Sequence, residues 1–211
     1  MLVLLLFLYK RNLFQCRKHL LHLYRNAAIS YIQYFTNAIK HWNFEIPDPK
    51  IRAALEKALG KNEGDAITKK DFVEADLSGL DLSGVDLTSA DLTKANLANT
   101  NFSEANLKGI NLSNKYLRSV DFRGADLSGA DLSSANLRRA GLRGANLAGA
   151  NLAGTNLTKV DLREANMAGV NLIGADLRKS NLREADLSGA DLTGADARKV
   201  NLVDANLRKA N

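Results

Sequence analysis

The sequence predicts an all-β solenoid preceded by an α-helical N-terminal region. A leucine-like residue stands at every fifth position from Phe72 to Leu207, 28 centres without one insertion. A period of five fits neither the 3.6-residue helix nor the two-residue strand, so no simple amphipathic element explains it. Self-similarity sustained over so many short copies points to a solenoid, in which each coil buries its apolar positions against the next. The residues before the repeats carry helical spacing and helix-end signals instead.

The 211 residues suit one domain of ordinary size plus an appendage. The net charge of +6 is unevenly placed: residues 1–70 hold 12 Lys/Arg against 5 Asp/Glu, whereas residues 71–211 hold 17 against 18. Residues 1–44 contain no acidic residue and open on the apolar run "LVLLLFLY". That run is too short to span a bilayer as a helix, which takes about 20 residues. No basic segment precedes it and no small-residue cleavage site follows, so it does not read as a standard signal peptide. Beyond it Leu13, Leu20, Tyr24, Ala28, Tyr31, Phe35, Ile39 and Trp42 recur at steps of three, four or seven, which predicts a basic amphipathic helix. Three readings of residues 1–44 stand side by side. The helix lies on an anionic membrane surface; it packs on the domain's end or pairs with another chain; or part of residues 1–25 is an upstream extension without structural role. A cytoplasmic or peripherally membrane-associated protein is expected over a secreted one.

Residues 45–70 predict a helical N-terminal cap. Asp48 reads as an N-cap, Pro49 suits the first helical position, and Gly60 fits just past the end. Ile51, Leu55 and Leu59 then share one face of a helix of about three turns. "KNEGD" is turn-rich, and Thr68 with Asp71 leads into the repeats. This stretch resembles the helical cap that precedes the repeats of bacterial leucine-rich-repeat proteins, where an "IPDP" helix and an "IT" turn recur.

Residues 71–211 carry the repeats. The centres are Leu except Phe72, Phe102, Phe122, Met167 and Ala197, and the residue before each is Asp or Asn except Tyr116 and Gly141. Two before the centre the residue is usually small: Ala, Val, Thr or Ser. "ADLSGADLSSANL" and "ANLAGANLAGTNL" match the A(D/N)LXX consensus, so this part of the chain resembles the pentapeptide-repeat family. The resemblance implies a bacterial protein with a right-handed quadrilateral β-helix of about seven coils, four pentapeptides to each 20-residue coil. It also implies that the centre and the small residue point inward while the other three positions face out. The Asp/Asn side chains are expected to bond nearby backbone in the turns and to interchange freely between repeats. Both ends of such a rod need covering. Residues 48–70 can plug one; at "NLRKAN" the coil stacks on a second copy, is solvated, or continues, and what some family members do favours a tail-to-tail homodimer.

Positions 20 apart then form columns. The face centred on Leu77, Leu97, Leu117, Leu137, Leu157, Leu177 and Ala197 carries Arg118, Arg138, Arg178 and Arg198 just after the centre. One position further it carries Arg139, Lys159, Lys179 and Lys199, so these eight residues are the candidate interaction face. The next face sets Arg123, Arg143, Arg163 and Arg183 beside Glu104, Glu164, Glu184 and Asp204, which predicts Arg–Glu pairing. The remaining two faces are mostly Gly, Ala, Ser and Thr. Two irregularities stand out. Lys115 falls at an inward position beside Tyr116, which predicts a bulge or a lysine that snorkels out past Tyr116. Ala197 replaces a central Leu, a vacancy worth about 2–5 kcal/mol if left unfilled.

The repeats contain no His or Cys, and Cys16 alone excludes an intramolecular disulfide or a cysteine-based zinc site. No nucleophile–base pair, phosphate loop or metal-ligand cluster can be assembled, so no catalytic, cofactor-binding or metal site is expected. The expectation is a non-enzymatic scaffold whose basic face meets an acidic protein partner. The resemblance also brings DNA mimicry that modulates or protects a type II topoisomerase, which needs a strongly acidic rod and is disfavoured by near-neutral repeats. Nucleic-acid binding by the basic face would be non-specific, since no aromatic side chains stand beside those arginines to stack on bases.

Overall fold

The computed structural model describes residues 46–211, and the amphipathic helix expected over residues 1–44 lies outside them. Helix α1 spans Pro49–Ala58. Asp48 caps it as the sequence suggests, its Oδ1 accepting from Lys50 N at 2.7 Å and Ile51 N at 3.2 Å. Leu55 is fully buried, and Ile51 and Leu59 pack against the same core. Glu56 is buried too, but its carboxylate is met by Arg52 Nε at 2.8 Å and Gly64 N at 3.1 Å. A single 3₁₀ turn, Lys69–Phe72, leads into the repeats. It is held by Asp71, which accepts from Thr68 N at 2.7 Å and pairs with Lys61 at 2.8 Å.

From Asp76 onward the chain pairs with itself at a separation of 20 residues, always in parallel: Asp76 with Asn96, Asp81 with Asn101, and so on to Asp186 with Asn206. Twenty residues therefore make one four-sided coil. The β-structure consists of isolated bridges rather than strands, because each five-residue side turns as soon as it has made its bridge.

Hydrogen bonding explains the five-residue unit. Leu77 N and Gly79 N donate to Asn96 O and Ala98 O in the next coil, each at 2.9 Å. Asn96 N donates back to Ala75 O at 2.9 Å, and Leu80 N closes a turn onto Leu77 O at 3.2 Å. The fifth donor, Ser78 N, goes to Asp76 Oδ1 at 3.1 Å. All 25 Asp and Asn residues at this position between Asp76 and Asn206 accept the same bond from the N–H two residues on. The expected turn role is what the structure shows.

Free interchange of Asp and Asn is not. In seven of the 13 Asn at this position from Asn96 to Asn206, Nδ2 donates to the Oδ1 one coil earlier, as from Asn96 to Asp76 at 2.9 Å, Asn146 to Asp126 at 3.0 Å and Asn166 to Asn146 at 3.0 Å. An ionised Asp can only accept, and Asp over Asp would face two carboxylates across about 4.8 Å. From Asp76 on, Asp follows Asp in a column once, at Asp176 and Asp196.

The core is the lumen. The centres from Leu77 to Leu187 are buried, with Ala, Val and other small residues beside them. Phe102 and Phe122, one coil apart, stack with centroids 5.4 Å apart. Buried hydroxyls at small-residue positions are satisfied by carbonyls: Thr100 by Leu77 O at 2.9 Å, Thr155 by Leu132 O at 2.8 Å. Ala197 leaves no internal vacancy, because it lies exposed in the last coil, where Leu207 is 41% exposed as well.

Leu147→Ala, in the fully enclosed lumen, is expected to lower stability by about 2–5 kcal/mol, and Leu207→Ala by under about 1 kcal/mol. Urea unfolding midpoints of the two variants measure the difference. Asn146→Asp would set a carboxylate against Asp126; the expected loss is about 1 kcal/mol at neutral pH, recovered as acid neutralises the pair. Thermal unfolding of this variant at two pH values reads it.

Candidate interaction surface

The coils align the eight basic residues in two outward columns, yet the structure divides them. Arg178 folds back on Asp176, with Nε and Nη2 at 2.8 and 2.6 Å from its two oxygens, and reaches Asp196 at 3.5 Å. Arg198 pairs with Asp196 at 2.6 Å. Hydrogen bonding by Arg198 and the nearby charge of Arg178 hold Asp196 down to about 2. The one stacked Asp pair is thus neutralised by two guanidinium groups, and those two arginines present little free charge. Arg118, Arg138, Arg139, Lys159, Lys179 and Lys199 make no ion pair within 4.0 Å among the described residues.

A two-residue rule separates the classes. An Arg just after a centre pairs with the residue two before it when that residue is Asp: Arg123 with Asp121, Arg163 with Asp161, Arg178 with Asp176, Arg198 with Asp196. Where that residue is Asn136 or Tyr116, Arg138 and Arg118 stay unpaired. Arg143, preceded by Gly141, reaches up one coil to Glu164 at 2.7 Å, and Arg183, preceded by Asn181, takes Glu184 at 2.9 Å. The Arg–Glu pairing expected on the second face therefore holds for two of its four arginines. The other two prefer the Asp inside their own turn, which is closer.

Backbone conformation adds a second contrast. The residue two after the centre closes a turn with positive φ, and on the two bare faces it is mostly Gly. On the basic face the same position holds Arg139, Lys159, Lys179 and Lys199, with φ of 60–62°. A side chain in this left-handed region is disfavoured by roughly 1–2 kcal/mol.

Lys115 departs from expectation in a specific way. No residue is inserted, and Asn136 N still donates to Lys115 O at 2.8 Å. Its ammonium does not pass Tyr116, a residue 63% exposed; it turns back one coil and donates to Ala95 O at 2.7 Å. Burial pushes the lysine down while the charge of Asp91 opposes it. Around this contact the ladder opens. Ser89 and Lys94 lack the positive φ found at this position in every other repeat. The inter-coil bonds of residues 89–99 with residues 108–118 are missing over the same stretch. A turn without the positive φ rotates its central peptide, so its N–H no longer points at the next coil. Composition carried no sign of this.

A four-sided solenoid of five-residue sides, with a lumen of leucines, defines the class of protein. The chain belongs to the pentapeptide-repeat family: the family's sequence profile, Pentapeptide repeats, matches in eight copies over residues 71–109, 100–139, 140–178 and 175–211. Proteins of this family form right-handed quadrilateral β-helices, and the family indicates no catalytic activity. Among solved structures the chain is similar to HetL, a pentapeptide repeat protein involved in heterocyst differentiation regulation in the cyanobacterium Nostoc sp. strain PCC 7120. The identity there is 28% over 64% of this chain and 86% of that one, with a TM-score of 0.35. It is also similar to a pentapeptide repeat protein of the Arabidopsis thaliana thylakoid lumen, at 28% identity over 67% and 78% with a TM-score of 0.27. A third similar structure is QnrB1, a plasmid-mediated fluoroquinolone resistance protein, at 19% identity over 64% and 83% with a TM-score of 0.45. No curated protein matches in sequence. Among the described residues no helix is long and apolar enough to cross a membrane, and no three His, Cys, Asp or Glu side chains gather as a metal set would need.

The Asp196 carboxyl is expected to titrate near 2 and to move towards the ordinary carboxylate range in Arg198→Ala. Because its folded value lies below its unfolded one, its contribution to stability is complete above the ordinary range near 4 and fades as pH falls through about 2. Carboxyl carbon chemical shifts followed by NMR during acid titration check both statements.

Proposed function

We propose that the protein is a non-enzymatic interaction scaffold that captures an acidic protein partner on the face bearing Arg118, Arg138, Arg139, Lys159, Lys179 and Lys199. The observation that carries this reading is selective neutralisation. On the adjacent face Arg123, Arg143, Arg163 and Arg183 each have a carboxylate partner, whereas these six cations have none among the described residues. An array of like charges stacked coil upon coil repels itself, and an acidic surface laid along it would offset that repulsion.

In this reading the solenoid of about seven coils is a rigid rod, the helical segment 45–70 is its cap, and residues 1–44 add a contact to an anionic membrane surface. The protein works in the cytoplasm or at the membrane periphery, and two copies pair tail to tail.

Affinity capture with mass spectrometry tests the central claim. The variant with Arg138, Arg139, Lys179 and Lys199 all changed to Glu is expected to lose the acidic protein that the wild type retains, and capture by the wild type should weaken as salt rises. Arg143→Glu, on the mixed face, should leave capture intact. Equal capture by the four-fold variant sinks the proposal. Retention of nucleic acid alone would favour a phosphate-binding rod, and protection of a topoisomerase in a supercoiling assay would favour mimicry.

A further inference from the structure

We propose that the open seam beside Lys115 is a binding site for a phosphoryl group, independent of the basic face. Three features meet there. The first is backbone: the N–H groups of Leu92, Lys94, Leu97, Asn111 and Tyr116, whose equivalents elsewhere bond the adjacent coil, have no inter-coil acceptor. Backbone donors held away from carbonyls need another acceptor. The second is space. The seam opens at one end on a cleft of about 500 Å³ lined by Lys69, Lys70, Asp91, Thr93 and, of the five donor residues, Leu92 and Asn111.

The third is charge. Lys69 and Lys70 line the cleft, and Lys115 is close enough to act on the charge of Asp91. Within the lining two cations, Lys69 and Lys70, face one carboxylate, and Asp91 is already engaged by Thr93 N at 3.1 Å and Thr93 Oγ1 at 2.6 Å. Two further lysines near this end are already paired, Lys94 with Glu74 at 3.0 Å and Lys61 with Asp71 at 2.8 Å. Lys115 stands in a column that is Ala at 75, 95 and 135, so the repeat puts an ammonium where a methyl group suffices. The seam frees carbonyls as well as N–H groups, and the Lys115 ammonium takes one of them, Ala95 O. The excess of positive charge, one in the lining with Lys115 close behind it, is what selects an anion. A phosphoryl group fits that excess, with a charge of about −1.5 to −2 near neutrality and three acceptor oxygens, and neighbouring backbone N–H groups are a recurrent cradle for it.

The test uses the full chain, with inorganic phosphate and O-phosphoserine as probes at constant ionic strength. Calorimetry should show saturable one-site binding of both, and amide shifts in ¹⁵N spectra should concentrate in residues 89–99 and 108–118. A tighter fit for the monoester would mark a phosphoryl group carried by a larger molecule; a tighter fit for phosphate would mark the free ion. Lys69 and Lys70 are exposed, so Lys69→Ala/Lys70→Ala should keep the unfolding midpoint while weakening binding at least tenfold. Lys115→Ala, the residue its column neighbours carry, should do the same. The four-fold reversal on the basic face should leave phosphate binding unchanged. No saturable binding of either probe, or binding that survives both lysine variants, overturns the proposal.

Discussion

A side of five residues has one backbone N–H more than its neighbouring carbonyls take up, and the structure rests on how that donor is satisfied. Two N–H groups go up the ladder, one goes down, one closes the turn, and the fifth finds the Asp or Asn oxygen two residues earlier. A hydrogen bond of this kind nets about 0.5–1.5 kcal/mol, but leaving a shielded N–H without a partner costs about 1–3 kcal/mol. It is repeated 25 times, and only the sides that carry Tyr116 and Gly141 at this position close without it. Once the turn is closed, the centre and the small residue point inward without alternative, and leucine over leucine fills the lumen.

The same side chain governs the surface charge. Asn relays a hydrogen bond to the coil beneath it, while Asp ends the relay and brings a charge that the next coil must not repeat. The pentapeptide holding Asp176 lies under the one holding Asp196, and there alone two guanidinium groups are spent on the pair. An Asp also claims the Arg two residues on. Arg198 in "ADARK" is neutralised within its own turn, whereas Arg138 in "ANLRR" is not. The choice between Asp and Asn is therefore a choice between a quiet wall and a charged one, made inside a motif whose first task is structural.

Much of this was legible in the sequence because it is periodic or local. The five-residue register, the inward columns, the Asx turns and the boundaries of α1 at Asp48 and Gly60 all follow from residues within five positions of one another. Columns read at a spacing of 20 align the eight cations but do not show which of them are paired, because the two-residue reach from Asp176 to Arg178 wins over the reach across a coil. The seam was not legible at all. Ser89 and Lys94 lack the positive φ, yet Ser119, Ser134, Lys159 and Lys179 occupy the same position with it. Residue type does not decide between the two turn forms. Lys115 was visible as an anomaly, but its partner, a carbonyl one coil back, belongs to no sequence pattern.

The two departures from neutrality adjoin. The upper lip of the seam ends at Arg118, which is also the first cation of the basic face, and Tyr116 stands exposed between Lys115 and that arginine. Over the rest of the solenoid an arginine beside an Asp is neutralised, buried hydroxyls find carbonyls, and the turn donor finds its Asx oxygen. At this corner the repeat gives up ladder bonds, sets an ammonium in an inner column, and begins a line of cations without counter-charges. The last two of these changes raise the local positive potential in a place the lumen does not need it. A fold that satisfies its polar groups so regularly elsewhere is best understood here as leaving part of its electrostatic complement to be supplied by an anionic ligand.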